Sequence, residues 1–206
     1  MNWLQKLAFP AMNAPIPVIS PQEAYDTCRG PFYHGTSSEV VDKIIEDGFK
    51  WEEGEARKPG TSHGYTNQEY GHTGCVVPVH HLGYGIYLTQ SKTIAKRFGY
   101  RSDKNVVEIW ALKSARIGEI NFGSPNTMMK WWKSMGYNCD LAKIDRVQAT
   151  KILTQNLASK YDALLFTSKG MYRLLDGNQM CVYNPSILRR VDKKLVQPGQ
   201  MGSKVK

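Results

Sequence analysis

A strand too short to stand alone, entered through two glycines and left through a helix cap, lies near the middle of this 206-residue chain: Gly83-Tyr84-Gly85-Ile86-Tyr87-Leu88-Thr89. Two glycines one residue apart permit a close approach or a backbone angle closed to other residues. The Ile-Tyr-Leu that follows alternates as a half-buried strand does. Ser91 is the expected cap of a helix over 92–98, and Gly99 its stop. Such a strand, turn and helix set Tyr87 beside a helix that carries Phe98, eleven residues on. Facing one pocket, the two rings would sandwich a flat heteroaromatic group. The glycines do not form a dinucleotide-binding fingerprint, because they precede the strand and no second strand–helix unit follows them.

Around that centre the apolar pattern predicts an α+β chain of five or six short strands and four helices in mixed order, against a regular parallel doubly wound sheet. Phe32-Tyr33-His34 reads as a strand and 39–47 as a helix with Val40, Val41, Ile44 and Ile45 on one face, ended by Gly48. Cys75 to Val79 is extended, and 106–112 is a strong strand. Asn121 to Ser124 form a turn, and Pro125 opens a helix bearing Met128, Met129, Trp131, Trp132 and Met135, a packing face. A further helix runs over 145–158 and a strand over 161–167. Two short strands, 171–175 and 180–183, bracket the turn Asp176-Gly177-Asn178. Residues 51–74 hold five glycines and no periodicity, which predicts a long functional loop that covers a cofactor or meets an acceptor. Residues 1–30, with Pro10, Pro15, Pro17 and Pro21, read as a leader, 31–188 as the single domain, and 189–206 as a basic tail.

The formal charge of +9 and a pI of about 9.3 favour an anionic partner, whether nucleic acid or an anionic cofactor. Six basic residues against Asp192 alone fall between Arg189 and Lys206, so a large share of the excess sits in the expected tail. No apolar run is long enough for a membrane span or a secretion signal. The four cysteines are far apart and form no C-x-x-C pair, which points to reduced thiols and a cytoplasmic, monomeric protein. His63, His72, Cys75, His80 and His81 are of metal-ligating type, but their spacing matches no ligand knuckle, and no metal is expected. Arg57, Lys58, Lys92, Lys96 and Arg97 are candidates for phosphate contacts.

Three separated segments together resemble the ADP-ribosyltransferases of the diphtheria-toxin and poly(ADP-ribose) polymerase type, and their order and spacing also resemble small bacterial and phage members. Tyr33-His34-Gly35-Thr36 looks like the first catalytic strand of that family. Gly83-Tyr84-Gly85-Ile86-Tyr87 looks like its second motif, and Phe98 stands where the family has a second stacking aromatic. Gln179-Met180-Cys181-Val182-Tyr183-Asn184-Pro185 looks like the strand that opens with the catalytic glutamate. The resemblance covers about residues 31–188. It implies a split mixed and antiparallel β-sheet core with peripheral helices, NAD as co-substrate, and a protein or nucleic-acid acceptor. His34 would hydrogen-bond a ribose of NAD, with Thr36 and Gly85 lining the site. Gly35 would offer backbone groups to the nicotinamide amide, and Tyr87 and Phe98 would clamp the ring. His34, Tyr87 and Gln179 would form the catalytic set.

Gln179 departs from the commoner glutamate. Its amide keeps the hydrogen-bonding reach but gives up the negative charge that steadies a developing cation. The resemblance accommodates this in three ways: a glutamine-bearing subgroup that transfers single ADP-ribose units, an inactivated variant, or NAD binding without efficient turnover. Asp176, three residues upstream, is a substitute carboxylate. Rival functions are a nucleic-acid-binding module that uses charge and aromatic stacking, an NAD glycohydrolase, and an RNA 2′-phosphotransferase.

Overall fold

The computed structural model describes residues 15–49, 75–76, 78, 80–99, 101–121, 125–167, 178–192 and 194. The loop expected over 51–74, the strand over 171–175 with Asp176 and Gly177, the first fourteen residues of the expected leader and the tail from 195 lie outside them. The same holds for Arg57, Lys58, His63 and His72.

Among the described residues the chain runs β1 (Val18–Ile19), α1 (Pro21–Thr27), β2 (Cys28–Gly35), α2 (Ser38–Asp47), β3 (Ile86–Thr89), α3 (Lys92–Phe98), β4 (Val106–Leu112) and β5 (Ile117–Ile120). It continues through α4 (Pro125–Ser134), α5 (Cys139–Ile144), α6 (Arg146–Lys160), β6 (Ala163–Phe166), β7 (Gln179–Val182) and β8 (Leu188–Val191). The eight strands form one mixed sheet in the order β1-β8-β4-β2-β3-β7-β6-β5. Only β1–β8 and β5–β6 pair in parallel; the other pairings are antiparallel. The architecture is α+β, as the mixed order of elements predicts.

Alternation along the strands sends side chains to two cores. Phe32, Leu88, Val107, Ile109, Met180, Val182 and Leu188 pack on one face with Val41 and Ile44 of α2. Leu164, Phe166 and Cys181 face the other way, against Met128, Met129 and Trp132 of α4 and Ala149, Leu153 and Leu157 of α6. α5 and α6 each start where a side chain caps a free amide: Asn138 Oδ1 accepts from the N–H groups of Asp140 and Leu141, and Asp145 Oδ1 from that of Gln148.

Residues 15–30, expected as a leader, enter the fold. Ile16 is buried in the α2-side core, β1 pairs with β8, and β2 begins at Cys28. The expected tail likewise starts too early, because Arg189 and Arg190 are strand residues paired with Trp110 and Val18. Reduced thiols do not hold for two of the four cysteines. Cys75 and Cys139, 64 residues apart in sequence, form a disulfide, while Cys28 and Cys181 are free and buried. That pairing comes from tertiary packing and leaves no trace in local spacing. No helix among the described residues is long and apolar enough to cross a membrane.

Candidate active site

The sheet is weakest in its middle. β2 shares six residue pairs with β4, and β3 shares four with β7, yet β2 and β3 meet at one pair, Tyr33 with Thr89. Beyond that pair the register would set Gly35 opposite Tyr87, where the two strands part. A side chain bridges them there: His34 Nδ1 lies 2.9 Å from the Tyr87 carbonyl oxygen. A carbonyl only accepts, so Nδ1 carries the hydrogen and donates it. Burial pushes the His34 pKa below 6.5, and the bond to Tyr87 opposes this less strongly. The ring is therefore neutral near pH 7, and Nε2 keeps its lone pair for a hydroxyl donor. Phe49 holds the ring edge-on, with centroids 5.1 Å apart.

Tyr87 is fixed from the opposite side. Its hydroxyl donates to the Gly83 carbonyl at 2.8 Å and accepts from the Leu82 N–H at 3.1 Å. Burial pushes this phenol well above its usual range, so it remains protonated. The loop that carries these two partners is in turn held by side chains from distant parts of the chain. Tyr137 Oη donates to the Val76 carbonyl at 2.8 Å, Arg146 Nη2 to Pro78 at 3.1 Å, Trp132 Nε1 to His81 at 2.7 Å and Tyr183 Oη to Leu82 at 2.6 Å. Thr154 Oγ1 accepts from the Tyr84 N–H at 2.8 Å, and the disulfide ties Cys75 to the start of α5. The described residues between 75 and 84 thus form a strap, and side chains satisfy the backbone groups of Val76, Pro78, His81, Leu82, Gly83 and Tyr84. Sequence reasoning placed Trp132 in a packing face and Tyr183 on a strand; the polar ends of these residues carry the second role. His81, on the strap, is buried beside His80 and Arg146, and its pKa falls to about 4, so it is neutral as well.

Gln179 opens β7 opposite Thr89 and across from Phe166. Directly opposite strand residues share a face, and Tyr87 is paired with Cys181, so Gln179 is the diagonal neighbour of Tyr87 on the same side of the sheet. Its side chain is half-buried, and no hydrogen bond ties its amide to any described residue. His34, in step with Phe32, belongs by alternation to the α2 side. The expected trio is therefore split: Tyr87 and Gln179 share one face, and His34, on the other, touches Tyr87 at its backbone carbonyl.

Both site glycines are required, for packing reasons. A Cβ on Gly35 would stand 1.8 Å from the Ala95 carbonyl oxygen, so α3 crosses β2 at backbone contact. One on Gly85 would stand 2.6 Å from Cys181 Sγ, where the strap passes β7. Thr36 closes the end of β2 through its N–H, which donates to the Asn105 carbonyl at 3.0 Å. Phe98 does not join Tyr87 in a clamp. It is 57% exposed and makes no ring contact with Tyr87. The buried stripe of α3 is Ile94 and Ala95, and Phe98 overhangs the sheet at the last position of this seven-residue helix.

Among the described residues no three histidine, cysteine or acidic side chains converge as a metal site. Cys181 is no nucleophile either, because burial pushes its thiol up to about 12. What remains is a polar seam with one acceptor nitrogen, one free amide and one fixed aromatic ring. Compared with protein-family models, curated proteins and solved structures, the chain matches none.

Proposed function

We propose that the seam between β2 and β3 binds NAD, and that the protein transfers a single ADP-ribose unit to a macromolecular acceptor, releasing nicotinamide. The observation that carries this is the neutral His34 ring at the point where the strands part, with its Nδ1 hydrogen committed to Tyr87 and its Nε2 bonded to no described residue. A ribose hydroxyl is the kind of donor such a nitrogen takes, and it fixes a sugar without adding charge. The donor set fits the rest of the group. Tyr87 offers an anchored aromatic surface to a planar ring. Gln179, on the same face, has an amide bonded to no described residue. The Gly35 edge toward β3 is unclaimed by a ladder.

In the reaction the ribose C1–N bond breaks with its electron pair leaving on nicotinamide. An acceptor lone pair then forms the new bond to C1, and the acceptor's proton passes to solvent. The residues contribute orientation and a weak dipole. His34 would hold the sugar, Tyr87 the ring, and the Gln179 carbonyl oxygen would point a partial negative charge at the reacting sugar. A partial charge steadies the transition state less than a carboxylate does, in keeping with single transfer to an acceptor that supplies its own nucleophile.

The test is to incubate the protein with a cell extract and NAD labelled in its ADP-ribose half, and then to digest with protease or nuclease. The expected result is stoichiometric release of free nicotinamide and label on a macromolecule that one of the two digestions removes. Intact NAD after prolonged incubation would refute the proposal.

A further inference from the structure

We infer that α3 and the 3-10 turn Asp103–Asn105 form a ledge that docks single-stranded nucleic acid beside the seam. Taken with the function proposed above, on which this last step rests, that strand is the acceptor. The residues from Lys92 to Asn105 include Lys92, Lys96, Arg97, Arg101 and Lys104 against Asp103 alone, a net of +4 out of the chain's +9. The fold brings the helix and the 3-10 turn that carry these cations together. The Arg101 N–H donates to the Lys96 carbonyl at 2.6 Å, turning the chain back onto the helix it has just left. Lys92 and Lys96 converge on the single carboxylate of Asp103, at 3.1 and 2.8 Å. Arg97, Arg101 and Lys104 are exposed and ion-paired with no described residue. Most of the ledge's positive charge therefore has no counter-ion among the described residues.

Two features select nucleic acid over an acidic protein. Phe98, 57% exposed, stands on the same helix end, and an exposed ring among cations is a platform on which any unpaired base can stack. Two of the three unpaired cations are guanidiniums, whose planar fork matches phosphate oxygens. Stacking on Phe98 needs a base that is out of a duplex, which selects single strands. The ledge also borders the seam directly: Thr36 donates to the Asn105 carbonyl, and the Ala95 carbonyl rests on Gly35. A strand lying there would pass the open end of the cleft. The expected basic tail is not needed for this.

The experiment uses the full chain and a fluorescein-labelled single-stranded oligonucleotide of about 20 nucleotides, titrated by anisotropy at several salt concentrations. The variant Arg101→Asp/Lys104→Glu leaves the proposed NAD contacts alone. Aspartate suits the positive φ of 63° at Arg101 better than most acidic or bulky replacements would. The expected result is binding roughly tenfold or more weaker at low salt, with a salt slope shallower by about 1.4 as two phosphate contacts are lost. NAD binding by the variant should match that of the unaltered protein, while nicotinamide release in the presence of the oligonucleotide should fall with its affinity. Equal affinity and equal slope for the two proteins would overturn the proposal. So would a polyglutamate peptide that binds as tightly as the oligonucleotide, because the ledge would then recognise acidity alone. Oligonucleotide binding that the variant loses, in a protein that never releases nicotinamide, would uphold the ledge while removing the transferase function.

Discussion

Gln179→Glu is expected to raise NAD turnover by about 10²-fold, equivalent to about 2.7 kcal/mol of transition-state stabilisation. Position 179 opens β7 on the face that carries Tyr87, and its amide is bonded to no described residue, so a carboxylate can replace it without breaking an existing contact. The gain comes from charge. An amide oxygen offers a partial dipole to the sugar as positive charge develops at C1, and a carboxylate offers a full negative charge in a partly dry site. Ground-state binding should change little, because that charge is absent until the bond begins to break. Steady-state nicotinamide release at saturating NAD, measured for both proteins against one acceptor, checks this. Turnover that is unchanged or lower would mean that Gln179 does not face the reacting carbon.

Trp132→Ala should destabilise the protein by about 3–5 kcal/mol, the cost of an unfilled space in a packed core. Trp132 is 1% exposed, lies between Tyr137 and His81, and ends in the 2.7 Å hydrogen bond that holds the strap at the His81 carbonyl. Trp132→Phe keeps most of the packing and loses mainly the donor, leaving a carbonyl unpaired at a cost of about 1–2 kcal/mol. Urea denaturation of the three proteins separates the packing and hydrogen-bonding parts. A Trp132→Ala protein within about 1 kcal/mol of the original would show that the strap is fixed by its other bonds.

How far the fold could be read from sequence depended on how much of each element's signal was apolar. The helix at 38–47 and the strand at 106–112 carry their periodicity in Val and Ile, and they stand where the pattern puts them. α1 has one buried residue, Ala24, so it leaves no apolar stripe, and four early prolines made that region read as irregular. Its start was nonetheless written as Ser20-Pro21-x-Glu23, and the Ser20 hydroxyl accepts from the Glu23 N–H at 3.1 Å. β8 was hidden by Arg189 and Arg190, both only half-buried, so a strand that lies between β1 and β4 resembled a tail.

The motifs brought their residues onto neighbouring strands but did not show the arrangement. His34, Tyr87 and Gln179 lie on β2, β3 and β7, which are adjacent in the sheet, yet alternation puts His34 on the opposite face, which no motif spacing could reveal. Phe98 was expected in the pocket because eleven residues suit a strand-to-helix turn. The helix is so short that its last residue overhangs the sheet. The strap was illegible for a different reason. Its bonds come from Tyr137, Arg146, Trp132, Thr154 and Tyr183, all distant in sequence, and each uses the polar end of a residue whose apolar or charged part dominates the pattern.

The measurement closest to the central claim is a nitrogen-15 NMR titration of histidine-labelled protein with NAD, following both ring nitrogens of His34. Before NAD is added, the account requires a neutral ring with the hydrogen on Nδ1, held by the Tyr87 carbonyl, and a bare Nε2. As NAD is added, the Nε2 resonance should move saturably in the direction of an accepted hydrogen bond, while Nδ1 keeps its protonated position. A ring that carries its hydrogen on Nε2, or resonances that do not respond to NAD at any concentration, would contradict the assignment of the seam as the NAD site.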